Sequence, residues 1–246
     1  MGAIAAALQA CHKRIDSACH AAGRSENCAH LMAVSKTFPV AAIREAYAAG
    51  QRVFGESYLQ EALPKLEQLA DLDIEWHFIG PLQSNKTRQV ATHFDWVHSV
   101  AREKIAQRLS EQRPAGMPPL QVCLQVNVSG EASKSGVEPD AALALARAIS
   151  ALPNLQLRGF MAIPEPGLPL PAQRGRFRQV AALLDSVQAA GLPIDPVDTL
   201  SMGMSDDLEA AILEGATMVR VGTAIFGARQ NIVNNHIEIN QLEQAS

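Results

Sequence analysis

The chain has few cysteines, few aromatic residues, no surplus of positive charge and no apolar run of membrane-spanning length, and each shortage removes a class of protein. Nucleic-acid binders usually carry a basic patch that displaces counterions from phosphates, and a formal net charge of -4 provides none. The one dense basic run, Arg174, Arg176 and Arg178, reads as a solvated helix face. A bilayer crossing needs roughly 20 consecutive apolar residues, and the N-terminal run is broken by Gln9, His12, Lys13 and Arg14. Neither nucleic acid nor membrane is therefore an expected partner. Cys11, Cys19, Cys28 and Cys123 form neither a CxxC pair nor a dense framework, and no secretory leader precedes them, so four reduced thiols in a cytoplasmic protein are expected. His77, His93 and His98 show no metal-ligand spacing, so no metal is expected.

What is present is a 246-residue chain, 48% hydrophobic and 19% charged, long enough to bury a full core. Ala3 to Ala21 carries Ile4, Leu8, Cys11 and Ile15 at helical spacing before Gly23, which predicts a leading helix. Eight β-type runs follow: Leu31 to Val34, Val53 to Gly55, Trp76 to Ile79, Trp96 to Val100, Val122 to Val128, Leu157 to Ile163, Thr199 to Met202 and Met218 to Ile225. Helical stretches separate them, such as Val40 to Ala49 between Pro39 and Gly50. Strand then helix, eight times over with no linker, favours a closed barrel over an open doubly wound sheet. The expected fold is a single (β/α)8 TIM-type barrel with an added N-terminal helix, one domain over residues 1–246. In the fifth strand Val122, Leu124, Val126 and Val128 share a face towards the helices, and Gln121, Cys123, Gln125 and Asn127 share one towards the barrel interior. An exposed antiparallel strand would give the same alternation.

Lys36 differs from the other five lysines in ending an apolar strand, Leu31 to Lys36. Strand ends form the active face of a barrel, and partial desolvation there would lower the amine's pKa and make it a better Schiff-base nucleophile. A snorkelling surface lysine is the competing reading. Leu200-Ser201-Met202-Gly203-Met204 ends the seventh strand before a helix opened by Ser205-Asp206-Asp207, and Arg220-Val221 runs into Gly222-Thr223 after the eighth. Barrels often bind a phosphate with these two loops, and Ser201, Gly203, Gly222 and Thr223 suit such a cup; glycines shaping ordinary turns are the alternative. Arg220, inside an apolar strand, needs a partner, which a pyridine nitrogen and a carboxylate would serve equally well. Gly130 to Gly136 lacks the Gly-Lys-Ser/Thr ending of a P-loop and reads as a plain or ligand-proximal loop.

Taken with Ala33-Val34-Ser35-Lys36-Thr37, Phe54-Gly55-Glu56-Ser57-Tyr58, Trp76 to Lys86, Gly159-Phe160-Met161, Leu200 to Asp207 and Arg220-Val221-Gly222-Thr223, the chain resembles the pyridoxal phosphate homeostasis family, the YggS/PROSC group, over nearly its whole length. That family's fold is similar to the barrel domain of alanine racemases. The resemblance implies pyridoxal 5'-phosphate (PLP) as cofactor, Lys36 as its Schiff-base lysine, Ser201, Gly222 and Thr223 around the phosphate, and Arg220 near the pyridine nitrogen. Met202, Asn85 and Met161 fall in the same family motifs near the cofactor. It further implies a monomeric carrier that holds PLP and supplies it to apo-enzymes. Ser57 departs from the family's usual asparagine. A PLP-dependent amino-acid racemase is the alternative function; the chain ends about twenty residues after Gly227, which leaves no room for a racemase's second domain. A PLP-independent barrel enzyme acting on a phosphorylated metabolite would explain the phosphate cup but not Lys36 together with Arg220.

Overall fold

Aliphatic runs too short for a helix core, separated by amphipathic segments closed by glycine, leave the chain one way to hide both faces of its strands: a parallel sheet sheathed in helices. The computed structural model describes residues 2–130, 135–192 and 196–228. The leading helix α1 (Ala3–Ala21) is followed by β1 (His30–Val34), α2 (Val40–Ala48), β2 (Val53–Glu56), α3 (Leu59–Gln68), β3 (Glu75–Phe78), α4 (Thr87–His93), β4 (Trp96–Val100) and α5 (Glu103–Gln112). Then come β5 (Leu120–Val126), α6 (Pro139–Ser150), β6 (Leu155–Ala162), α7 (Leu170–Ala189), β7 (Thr199–Met204), α8 (Leu208–Leu213), β8 (Met218–Val221) and α9 (Thr223–Phe226). Every strand pairs in parallel with its sequence neighbour, and β1 pairs with β8, as in Leu31 with Val219, so the sheet is a closed (β/α)8 barrel.

The expected alternation in β5 holds. Val122, Leu124 and Val126 join the large core between sheet and helices, whereas Cys123 packs inside the barrel with Trp96 and Met161. The eighth strand is shorter than its apolar run suggested. It ends at Val221, and Thr223 to Ile225 turn into α9; at the junction a Cβ on Gly222 would lie 3.2 Å from the Val34 carbonyl oxygen, so a larger residue there would need a small shift. Ser205 and Asp206 likewise form a turn rather than the first residues of α8, with Asp207 Oδ1 accepting a 2.6 Å hydrogen bond from the Met204 N–H. Arg174 and Arg178 both pair with Glu214, and Arg176 with Glu165, so the basic run ties α7 to neighbouring segments as well as facing solvent. Of the loop Gly130 to Gly136, residues 131–134 lie outside the described residues. Among the described residues no helix is long and apolar enough to cross a membrane.

The expectation of four free thiols needs correction, since Cys19, near the end of α1, and Cys28, just before β1, form a disulfide, and only Cys11 and Cys123 are free, both buried. A left-handed Asn27 (φ 61°) turns the chain back so that the two Cα atoms come within 6.1 Å. Closing a loop with a sequence separation of 9 restricts the unfolded chain by about 2.5 kcal/mol. We expect Cys28→Ser to lower the unfolding free energy of the oxidised protein by about that much, and to leave reduced protein nearly unchanged, in parallel urea titrations with and without a reductant.

Candidate functional site

The C-terminal ends of β1, β2, β3, β6, β7 and β8 enclose a cavity of about 380 Å³. Its lining includes Lys36, Ser57, Met161, Arg220, Gly222 and Thr223, with Met204 from the end of β7 and Ser205 and Asp206 from the loop after it. Five of the sequence candidates, Lys36, Met161, Arg220, Gly222 and Thr223, thus meet at one place. Ser201 and Met202 do not line the cavity. Both are fully buried in β7, where Ser201 Oγ accepts a 2.8 Å bond from Arg220. Asn85 is exposed in the turn before α4 and does not line the cavity either. Val34, Phe38, Ile79 and Ile163 were missed as lining residues. Their signal was positional, since each lies at or just beyond a strand end at the barrel's C-terminal face.

Lys36 stands two residues beyond β1, half-buried, with its Nζ 5.9 Å from the centroid of the Tyr58 ring. Arg220 enters from β8 and is 4% exposed. Its Nη1 donates to the Ser201 carbonyl and hydroxyl, and its Nη2 to the Ala162 carbonyl at 2.9 Å. Among the described residues it has no carboxylate partner, so backbone oxygens, not an ion pair, compensate its burial. These bonds do not use Nε–H. Burial pulls the guanidinium's pKa down to about 10, so it remains a cation and a donor near neutral pH.

The two loops assigned to an anion converge on the same cavity. Gly222 and Thr223 open α9, whose first N–H groups have no carbonyl within the helix to bond, and Ser205 faces them across the opening. Arg14 of α1 braces that loop, donating to the Ser205 carbonyl at 2.9 Å while pairing with Glu209 at 2.8 Å. Ser57 lies in the lining, so the departure from the usual asparagine falls at the site itself. Its carbonyl would be 2.0 Å from a Cβ on Gly80, so no other residue fits at position 80.

Beneath the cavity the barrel interior is polar. His77 Nε2 bonds Glu75 at 2.7 Å, and His77 Nδ1 bonds His98 Nε2 at 2.8 Å. Burial lowers the pKa of His77, and burial, then His77 and Arg220, push His98 well below the ordinary imidazole range, so both are neutral. With the Glu75 carboxylate accepting, His77 donates from Nε2, His98 donates to His77, and His98 Nδ1 is left as a buried acceptor without a partner. Burial also drives the Cys123 thiol up to about 12, so it is not a nucleophile at neutral pH.

Because the native histidines stay neutral while those of the unfolded chain take up protons below about pH 6.5, the stability they confer is complete above that pH and is lost as pH falls. The limiting loss is about 1.4 kcal/mol per pH unit for each ring. We expect urea midpoints to fall as pH drops below about 6.5, and His98→Leu, which removes the ring held further below the ordinary range, to make that slope shallower. An unchanged slope in the variant would show that His98 is protonated in the native protein.

The alanine racemase N-terminal domain model matches residues 7–230. The chain is 62% identical to the pyridoxal phosphate homeostasis protein of Pseudomonas aeruginosa over 229 residues, covering 93% of this chain and 97% of that one. It is 52% identical to the protein of the same name from Escherichia coli over 234 residues, covering 93% and 98%. The structure of PipY from Synechococcus elongatus PCC7942 with PLP bound superposes with a TM-score of 0.80 at 40% identity, covering 91% of this chain and all of that one. Alanine racemase from Corynebacterium glutamicum shares the fold, with a TM-score of 0.66 at 17% identity, and the match spans 94% of this chain but 62% of the racemase.

Proposed function

We propose, from the premise that this chain belongs to the pyridoxal phosphate homeostasis proteins of the alanine racemase N-terminal domain family, that it holds PLP as a Schiff base on Lys36 and limits the free aldehyde in the cell. The observation that carries the reading is the convergence of an amine, an arginine without a carboxylate partner, and two loop ends on one cavity. PLP, when bound, supplies an aldehyde that a primary amine can condense with. The residues present fit its three functional parts. Lys36 offers the amine at the end of β1. The N–H groups opening α9, with Gly222, Thr223 and Ser205, offer the donors a phosphate needs. Arg220 can only donate, so a ring nitrogen facing it stays unprotonated, which weakens the ring as an electron sink. Ser201 acts through Arg220, holding its guanidinium in place. Met202 supports the same strand from the core, and Asn85, outside the cavity lining, is carried on its family motif alone.

That electronic setting supports a carrier over an enzyme, since carbanion chemistry gains most from a protonated ring. Racemisation also requires a second acid-base group on the opposite face of the substrate carbon. Among the described residues lining the cavity Lys36 is the one amine and Asp206 the one carboxylate, and no tyrosine, histidine or cysteine joins them. The relatives' name, homeostasis protein, points the same way. The proposal includes a cytoplasmic monomer with a single domain over 1–246, passing PLP to apo-enzymes. Purified protein mixed with PLP should turn yellow in one-to-one stoichiometry and should not interconvert L- and D-alanine over many turnovers. Sustained turnover would make it a racemase, and a colourless protein would remove PLP from the reading.

A further inference from the structure

Lys65 is almost wholly buried, and none of its three donors is idle. Its Nζ bonds the Ser35 carbonyl at 3.0 Å, Glu56 Oε1 at 3.0 Å and Glu61 Oε1 at 2.6 Å. The two carboxylates extend the network to both neighbours of Lys36. Ser35 Oγ donates to Glu56 Oε1 at 2.7 Å, and the Thr37 N–H donates to Glu61 Oε1 at 2.5 Å. Thr37 has a φ of 69°, a left-handed conformation that a β-branched residue adopts only when its surroundings impose it, at a cost on the order of 1–3 kcal/mol. Its hydroxyl is buried without a partner, as is Glu56 Oε2. A buried cation with two carboxylates contributes little net stability compared with an apolar core, so its effect lies in the one backbone conformation it permits.

We propose that Lys65 is a positioning residue: through Glu56 and Glu61 it clamps Ser35 and Thr37 and so holds the backbone that aims Lys36 into the cavity. The inference rests on the functional reading above, in which the Lys36 amine attacks the aldehyde carbon, a C=N bond forms, and the carbonyl oxygen leaves as water with both amine protons. The clamp acts on the approach of that amine. Misplacement of a reacting group by about 1 Å can slow a step 100-fold.

The test compares wild type, Glu61→Ala, Glu61→Gln, Lys65→Met and Glu61→Ala/Thr37→Gly in two measurements. One is hydrogen–deuterium exchange at the Thr37 amide in protein without PLP; the other is the rate of borohydride-trapped adduct on Lys36 after adding PLP. Glu61 is 32% exposed, so its replacement spares the fold, whereas Lys65→Met strands the buried Glu56 and is the harsher variant. Glu61→Ala should raise Thr37 exchange at least tenfold and slow adduct formation about 10- to 100-fold. Glu61→Gln keeps an acceptor oxygen and should restore most of both, and Thr37→Gly should return part of the lost rate, because glycine takes a positive φ without a clamp. Wild-type adduct rates in Glu61→Ala and Lys65→Met overturn the proposal, as does unchanged Thr37 exchange. If wild type itself forms no adduct on Lys36, the functional reading falls, and the exchange data alone decide whether the clamp exists.

Discussion

Lys36→Ala should abolish the borohydride-stable PLP adduct completely while leaving the barrel folded. Lys36 is half-buried beyond the end of β1, so truncating it opens no core cavity, and circular dichroism and urea midpoints should stay close to wild type. The chain has five other lysines, and Lys65, the buried one, spends all three donors on its clamp. Intact mass after reduction should therefore show one added pyridoxyl group in wild type and none in the variant, with the wild-type adduct mapping to the Lys36 peptide. PLP should still bind the variant non-covalently and more weakly, because the phosphate donors and Arg220 remain. An adduct that persists in Lys36→Ala would place the Schiff base on another lysine and make the cavity a site for some other phosphorylated ligand.

The largest effect on the fold is expected from Gly159→Ala. Gly159 sits in β6 opposite Thr199 of β7 with a φ of 151°, and a Cβ there would lie 2.0 Å from the Thr199 carbonyl oxygen. Backbone cannot withdraw as a flexible side chain can, so β6 and β7 must separate, which costs about 4 kcal/mol or more. The loss reaches the site as well, because the same strand carries Met161 into the cavity and offers the Ala162 carbonyl to Arg220. The variant should be insoluble or unfold at low urea. Gly116→Ala is the control: it has a similarly unusual φ of 87° but nothing within 4 Å of the added carbon, so it should lose only about 1–2 kcal/mol. Equal effects at the two positions would mean that backbone strain, not the approach of β7, is what Gly159 relieves.

The chain alone determined the repeating strand–helix order, the closed barrel, and the inward and outward faces of β5. These follow from local rules, side-chain periodicity and the punctuation by proline and glycine, whereas Lys36, Arg220, Gly222 and Thr223 as residues of one site came from the resemblance to family motifs, local rules leaving a surface lysine and ordinary turns open. Tertiary structure decided what depends on which separate segments meet. Glu61 and Lys65 look from spacing alone like a solvated i,i+4 pair, and only the meeting of α3 with the ends of β1 and β2 buries Lys65 and bonds the pair to the two neighbours of Lys36. Ser201 points into the barrel to hold Arg220 instead of reaching the cavity, which its place in a glycine-containing strand end could not reveal. Cys19 and Cys28 pair because a left-handed residue folds the end of α1 back towards β1. Distances between residues far apart in the chain are set by ring closure and helix docking, and no sequence period encodes them.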